Sequence, residues 1–163
     1  MSQDFYLGNP NLKKVGTEIQ FTKEQIQEYL RCKEDPVYFA MNYIKIISLD
    51  EGIVPFKMWD FQQELIESFH ENRFNIAKLP RQTGKSTTCV SYLLHYILFN
   101  DNVNVGILAN KLSTARDLLG RLQLAYEQLP LWLQQGIVVY NKGSMELENG
   151  SKILAASTSA SAV

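Results

Sequence analysis

The sequence predicts an α/β fold: a mostly parallel sheet flanked by helices, with a helical N-terminal part before it and a small β-hairpin near the C-terminus. Three observations predict it. Residues 74–79 form a short, largely apolar run that passes through a turn into a long stretch apolar on almost every side. Residues 103–109 repeat that order, leading into an amphipathic stripe, and alternation of strand and helix implies parallel strands with right-handed crossovers. Short strand-like runs separated by turn residues then follow from Ile137 to Ala156.

In chain order, residues 1–20 show no clean period, and Gly8-Asn9-Pro10-Asn11 is turn chemistry, so this arm is expected to be irregular and ordered only by what packs on it. Thr22 and Gln25 fit a capping box that starts a helix, with Phe21 and Ile26 as its hydrophobic staple. Asp35-Pro36 starts the next helix, with Asp35 as N-cap and Pro36 at the first helical position. Its aromatic run, residues 37–44, reads as a packing helix or as a wall beside a nucleotide base. Residues 44–50 are apolar and short, and residues 52–57 read as a connection. A third helix begins near Asp60, with Phe61, Leu65 and Phe69 on one face. Gln62 and Gln63 lie in its first turn, where an amide either reads a base edge or is simply solvated.

Residues 74–79 read as a buried strand, residues 80–84 as a loop, and Lys85 onward as a buried helix. Residues 103–109 read as a second buried strand. A helix from an N-cap at Ser113 to Leu129 carries Ala115, Leu118, Leu119, Leu122, Tyr126 and Leu129 on one stripe, closed by Pro130. Arg116 and Arg121 lie off that stripe, on a face that is solvated or touches a polyanion. Residues 137–140, 144–148 and 151–156 read as short strands, with Asn149-Gly150 as a hairpin turn of the primed type, before the serine-rich residues 157–161. The domain division expected is an N-terminal arm and helical lid over residues 1–58, and a partial phosphate-loop ATPase domain over residues 59–163.

The chemistry concentrates at Gly84-Lys85-Ser86. A helix N-terminus leaves backbone N–H groups unpaired and carries partial positive charge, and a polyphosphate satisfies both. Gly84 lets backbone approach closely, Lys85 supplies a point charge at the β- and γ-phosphates, and the Ser86 hydroxyl suits Mg²⁺. The run departs from the usual G-x-x-x-x-G-K-[ST] pattern by having Leu79 where the first glycine stands. An ordinary strand–helix turn with an exposed lysine is the competing reading.

The chain has 163 residues, 45% of them hydrophobic, enough for one domain with a real core. A net charge of −1 argues against a surface dedicated to coating nucleic acid but leaves room for a local basic patch. Cys32 and Cys89 have no metal-ligand spacing and fit packing better than a redox pair. No apolar run is long enough to span a membrane and no signal peptide opens the chain, so a cytosolic location is expected. A phosphate-loop ATPase also needs an acidic residue at the end of a later strand to hold Mg²⁺. Asp101, Asp117, Glu146 and Glu148 do not fit that position, so the chain is expected to be a piece of a longer protein, cut before its acidic motif.

Four stretches together resemble one family: Trp59-Asp60-Phe61-Gln62-Gln63, Leu79-Pro80-Arg81-Gln82-Thr83-Gly84-Lys85-Ser86-Thr87, Val105-Gly106-Ile107-Leu108-Ala109-Asn110-Lys111, and Asn141-Lys142-Gly143-Ser144 with Asn149-Gly150-Ser151. In this order and spacing they resemble the N-terminal ATPase region of the large terminase subunit of tailed bacteriophages, of the T4-like myovirus type. The resemblance runs from about Phe21 to the end. It implies a P-loop NTPase core and an ATPase that drives viral DNA through a portal into a capsid, with ATP and Mg²⁺ as cofactors. Implied partners are double-stranded DNA, the portal protein, the small terminase subunit and further copies in a ring, without a membrane, in the host cell cytoplasm. By motif position, Lys85 and Ser86 would meet the β/γ-phosphates and Mg²⁺, with Ser86 as metal ligand. Arg81 would stabilise the γ-phosphate, making Arg81 and Lys85 the catalytic pair. Gln62 would match the adenine-motif glutamine, and Gln82, Thr83, Gly84 and Thr87 would complete the cradle. Lys57 stands where close relatives carry a further polar adenine contact. The nuclease domain of that family is absent from this sequence, and because the acidic Mg²⁺ partner and catalytic glutamate are also missing, weak nucleotide binding with little or no turnover is expected. The alternatives are a DNA helicase or other DNA-dependent ATPase of related core, and a non-catalytic module that binds a partner through its aromatic N-terminal helices.

Overall fold

The computed structural model describes residues 5–48 and 50–158. Its fold is α/β, with five α-helices, a two-stranded antiparallel sheet and a four-stranded mixed sheet among the described residues. The last residues of the serine-rich stretch lie outside the described residues.

The N-terminal helices start where local chemistry says they should. Helix α1 (Lys23–Glu34) has the full capping box: Thr22 Oγ1 accepts from Gln25 N, and Gln25 Oε1 accepts from Thr22 N. Helix α2 (Pro36–Tyr43) has Asp35 as N-cap, accepting from Tyr38 N at 2.8 Å. The two helices are tied by Glu28, which accepts from the hydroxyls of Tyr38 at 2.7 Å and Tyr43 at 2.8 Å. These bonds hold the Glu28 carboxyl below its ordinary range, Tyr38 first and Tyr43 second. Residues 45–55 then differ from expectation. They form a hairpin, β1 (Lys45–Ser48) against β2 (Gly52–Pro55), rather than an apolar run and a connection.

Helix α3 (Asp60–Glu71) begins where expected, with Trp59 as its N-cap, and turns Gln62 and Ile66 into the core. Helix α4 (Lys85–Phe99) is the buried helix the sequence predicts, covered on Val90, Leu94, Ile97 and Leu98. Strand β3 (Asn104–Ala109) leads to helix α5 (Leu112–Glu127), which starts from Lys111 rather than Ser113 and buries Ala115, Leu119, Leu122 and Tyr126 as its stripe requires. Strands β4 (Ile137–Tyr140), β5 (Ser144–Leu147) and β6 (Lys152–Ser157) follow. The sheet order is β3-β6-β5-β4, and β3–β6 is its parallel pair; β5 lies antiparallel to both β4 and β6.

Several expectations are therefore corrected. The sheet is mixed, not mostly parallel. Residues 74–79, expected as its central strand, are irregular chain, with Phe74 82% and Ile76 101% exposed. An apolar run becomes a strand only when another backbone completes its hydrogen-bond ladder. Strand β3 is an edge strand paired only to β6, and no strand among the described residues pairs with residues 74–79. For the same reason β3 is half-buried rather than buried: Ile107 faces the core and Leu108 faces out. Finally, the Asn149-Gly150 turn is not of the primed type, because Gly150 has φ 78° while Asn149 keeps a negative φ. Gly150 N donates to Leu147 O and Leu147 N to Ser151 O, giving a three-residue loop closed by a left-handed glycine.

The arm is irregular, as expected, yet firmly anchored. Leu12 is buried, Ile137 N donates to Lys13 O at 2.8 Å, and Gln134 holds Lys13 N and Asn11 O through its two amide ends. No helix among the described residues is long and apolar enough to cross a membrane.

Candidate phosphate-binding loop at the start of helix α4

Residues 80–84 fold back on themselves to reach α4. Gln82 has φ 62° and Gly84 φ 72°, so two residues of this short loop are left-handed. For glutamine that conformation is uncommon and costs energy, which the surrounding bonds must offset. The bonds converge on two carbonyls. Pro80 O accepts from Thr83 Oγ1 at 3.0 Å and from Lys85 Nζ at 3.0 Å. Thr83 O accepts from Gln62 Nε2 at 3.0 Å. The lysine thus arches over the loop that precedes its own helix.

Gly84 is the N-cap of α4 and needs to be glycine on two grounds. Its φ is positive, and a Cβ there would stand 2.5 Å from Gln62 Nε2. The first helical acceptor in use is Gly84 O, bonded by Thr88 N at 3.0 Å. The N–H groups of Lys85, Ser86 and Thr87, one turn earlier, have no partner among the described residues, as the start of any helix dictates. Ser86 and Thr87 hydroxyls have no partner among the described residues, whereas Thr88 Oγ1 is spent on Gly84 O.

The predicted site residues fall into three groups. Thr83, Gly84, Lys85, Ser86 and Thr87 are brought together at one helix end. Arg81 and Gln82 are exposed on the outside of the loop, Arg81 with no partner among the described residues. Gln62 is brought to the loop but buried, only 4% exposed. Its Oε1 accepts from Trp59 N at 3.0 Å and caps α3, while its Nε2 bonds the loop. The sequence places Gln62 in the first turn of α3, and the resemblance implies that it reads adenine; that its amide faces the loop is encoded in no local pattern.

The arrangement fits a polyphosphate: open N–H groups, a helix dipole, an ammonium and a glycine without a Cβ meet at one point. For a metal the loop offers the Ser86 hydroxyl. Among the described residues no group of three or more His, Cys, Asp or Glu side chains could hold a metal ion. A cavity of about 340 Å³ flanks the first turn of α4, between β1 and α5, lined by Ile46, Thr87, Val90, Arg121 and Ala125 among others. A larger one, about 660 Å³, lies between the arm and Leu131 and is lined by none of the loop residues. It is a gap beneath an irregular segment; the converging donors are at the loop, and chemistry rather than size marks the site.

No protein-family model matches this chain.

Proposed function

We propose that this chain is the nucleotide-binding region of an ATP-driven motor that packages double-stranded viral DNA, of the large terminase type, with a P-loop NTPase core. The observation that carries the reading is the convergence of Lys85, Ser86 and the open N–H groups of α4 behind the left-handed Gly84. The four sequence stretches that resemble the terminase family supply the substrate and partners: ATP with Mg²⁺, DNA, the portal protein and the small subunit, in a ring of copies.

In this reading the chain's own residues bind and orient. The first-turn N–H groups and Lys85 would take the β- and γ-phosphates, and Ser86 would ligate Mg²⁺, which supplies charge neutralisation on the phosphates. Lys85 reaches them by leaving Pro80 O, exchanging a neutral acceptor for a charged one, a bond roughly twice as strong. Arg81, exposed on the loop and without a partner among the described residues, would meet the charge that develops on the transferred phosphoryl group.

The test is a titration with ATP and Mg²⁺ run beside Lys85→Ala, with circular dichroism showing both folded. Binding by the parent and a loss of at least about tenfold in the variant is expected, since a charge-assisted contact is worth about 1.5–3 kcal/mol. Equal binding by both would remove the phosphate reading and leave the non-catalytic alternative.

A further inference from the structure

Gln62 occupies the position at which the resemblance implies recognition of adenine. Its surroundings say otherwise. To read a base edge an amide must present its acceptor and a donor together, in one plane, to a ligand that arrives from solvent. Gln62 is almost wholly buried, and both ends are occupied inside the protein: Oε1 by Trp59 N, Nε2 by Thr83 O. The amide nitrogen also fills the space where Gly84 lacks a side chain, 2.5 Å from the ideal Cβ position. One residue therefore caps α3, holds the carbonyl that lies between the two left-handed positions Gln82 and Gly84, and packs against the N-cap of α4.

We infer that Gln62 is a positioning residue for the phosphate loop and is blind to the base. It sets the loop's conformation through the Thr83 carbonyl, so it governs affinity for the phosphate chain itself. Discrimination between adenine and guanine does not pass through it. The inference rests on the phosphate-binding reading above and specifies which part of the nucleotide Gln62 serves.

Two variants separate the possibilities. Gln62→Glu keeps an acceptor for Trp59 N, so α3 stays capped, but sets a carboxylate against Thr83 O. Gln62→Met removes both bonds at nearly constant volume and adds no charge. Inorganic tripolyphosphate, ATP and GTP, each with Mg²⁺, are titrated into the parent and both variants below their unfolding temperatures. With one loop hydrogen bond lost, both variants should bind tripolyphosphate about three- to tenfold more weakly. ATP and GTP should weaken by that same factor, leaving their ratio as in the parent. A variant pair that binds tripolyphosphate like the parent while losing ATP selectively would overturn the inference and restore base reading. A parent that binds none of the three would overturn the phosphate reading, and this inference with it.

Discussion

Burial holds His95 neutral, with a pKa lowered from 6.5 to about 4; desolvation is the largest cause, and the bond to Cys32 O opposes it. Nε2 donates to that carbonyl at 2.9 Å, which leaves Nδ1 as a buried acceptor with no partner among the described residues. Phe39, Phe99, Tyr92 and His70 ring it. Between the unfolded and folded pKa values the unfolded chain binds a proton that the folded chain refuses. The neutral ring's contribution, on the order of 3 kcal/mol, is therefore complete above the unfolded pKa and lost as pH falls towards the folded one. Replacing His95 with Phe should flatten the fall in urea midpoint between about pH 7 and about pH 5; an unchanged fall would place the acid sensitivity elsewhere. Glu148 acts in a lower window. Desolvation raises its pKa, but the N–H groups of Gly136 and Gly16 together with Lys13 outweigh that and leave it below 4.5. Its contribution is lost only as pH drops below that value, so the two residues can be told apart on one titration. Cys32, whose thiol burial pushes up to about 12, should resist alkylation at neutral pH until the protein unfolds.

At the scale of elements, α4 is fixed at both ends by side chains from elsewhere. Its loop end is braced by Gln62, and its far end by the hairpin: Asn149 Nδ2 donates to Ile97 O at 2.9 Å and Asn100 O at 3.1 Å, and Ser151 Oγ to Asn100 O at 2.5 Å. Gln135 Nε2 adds a bond to Leu98 O. Asn149→Ala should cost about 1 kcal/mol in urea unfolding, since it takes the side-chain partner from Ile97 O, a part-buried carbonyl at the helix end; a change within error would mean the helix end is satisfied without it. The caps of α1 and α2 and the α5 stripe were legible because each is written within a few residues: Thr22 with Gln25, Asp35 with Pro36, Ala115 through Leu122. What was misread depends on partners remote in sequence. Residues 74–79 have the composition of a strand but no backbone beside them. The β1–β2 hairpin is announced only by Gly52, at φ 74°, without a two-residue turn signature. The loop residues 82–87 were legible as a motif, whereas the inward orientation of Gln62 follows from where α3 docks on α4.

The whole molecule leaves its sheet open at β3, beside which no other strand lies among the described residues, and it displays Phe74, Ile76, Leu108 and Leu154 on its surface. Chymotrypsin should nick the chain after Phe74, which is 82% exposed in irregular chain; resistance at that bond would show that residues 74–79 are shielded in solution. The arm behaves in the opposite way. Lys13 reaches Gln134 across 121 residues and Gly16 reaches Glu148 across 132. The arm thus has no berth until the hairpin, which carries Glu148 and follows Gly16 by 132 residues, has closed. Closing so long a loop is an entropic cost paid before the contacts reward it. The arm must wait, undocked, until Gln134 and Glu148 have been made, and its docking reports that they have taken their places.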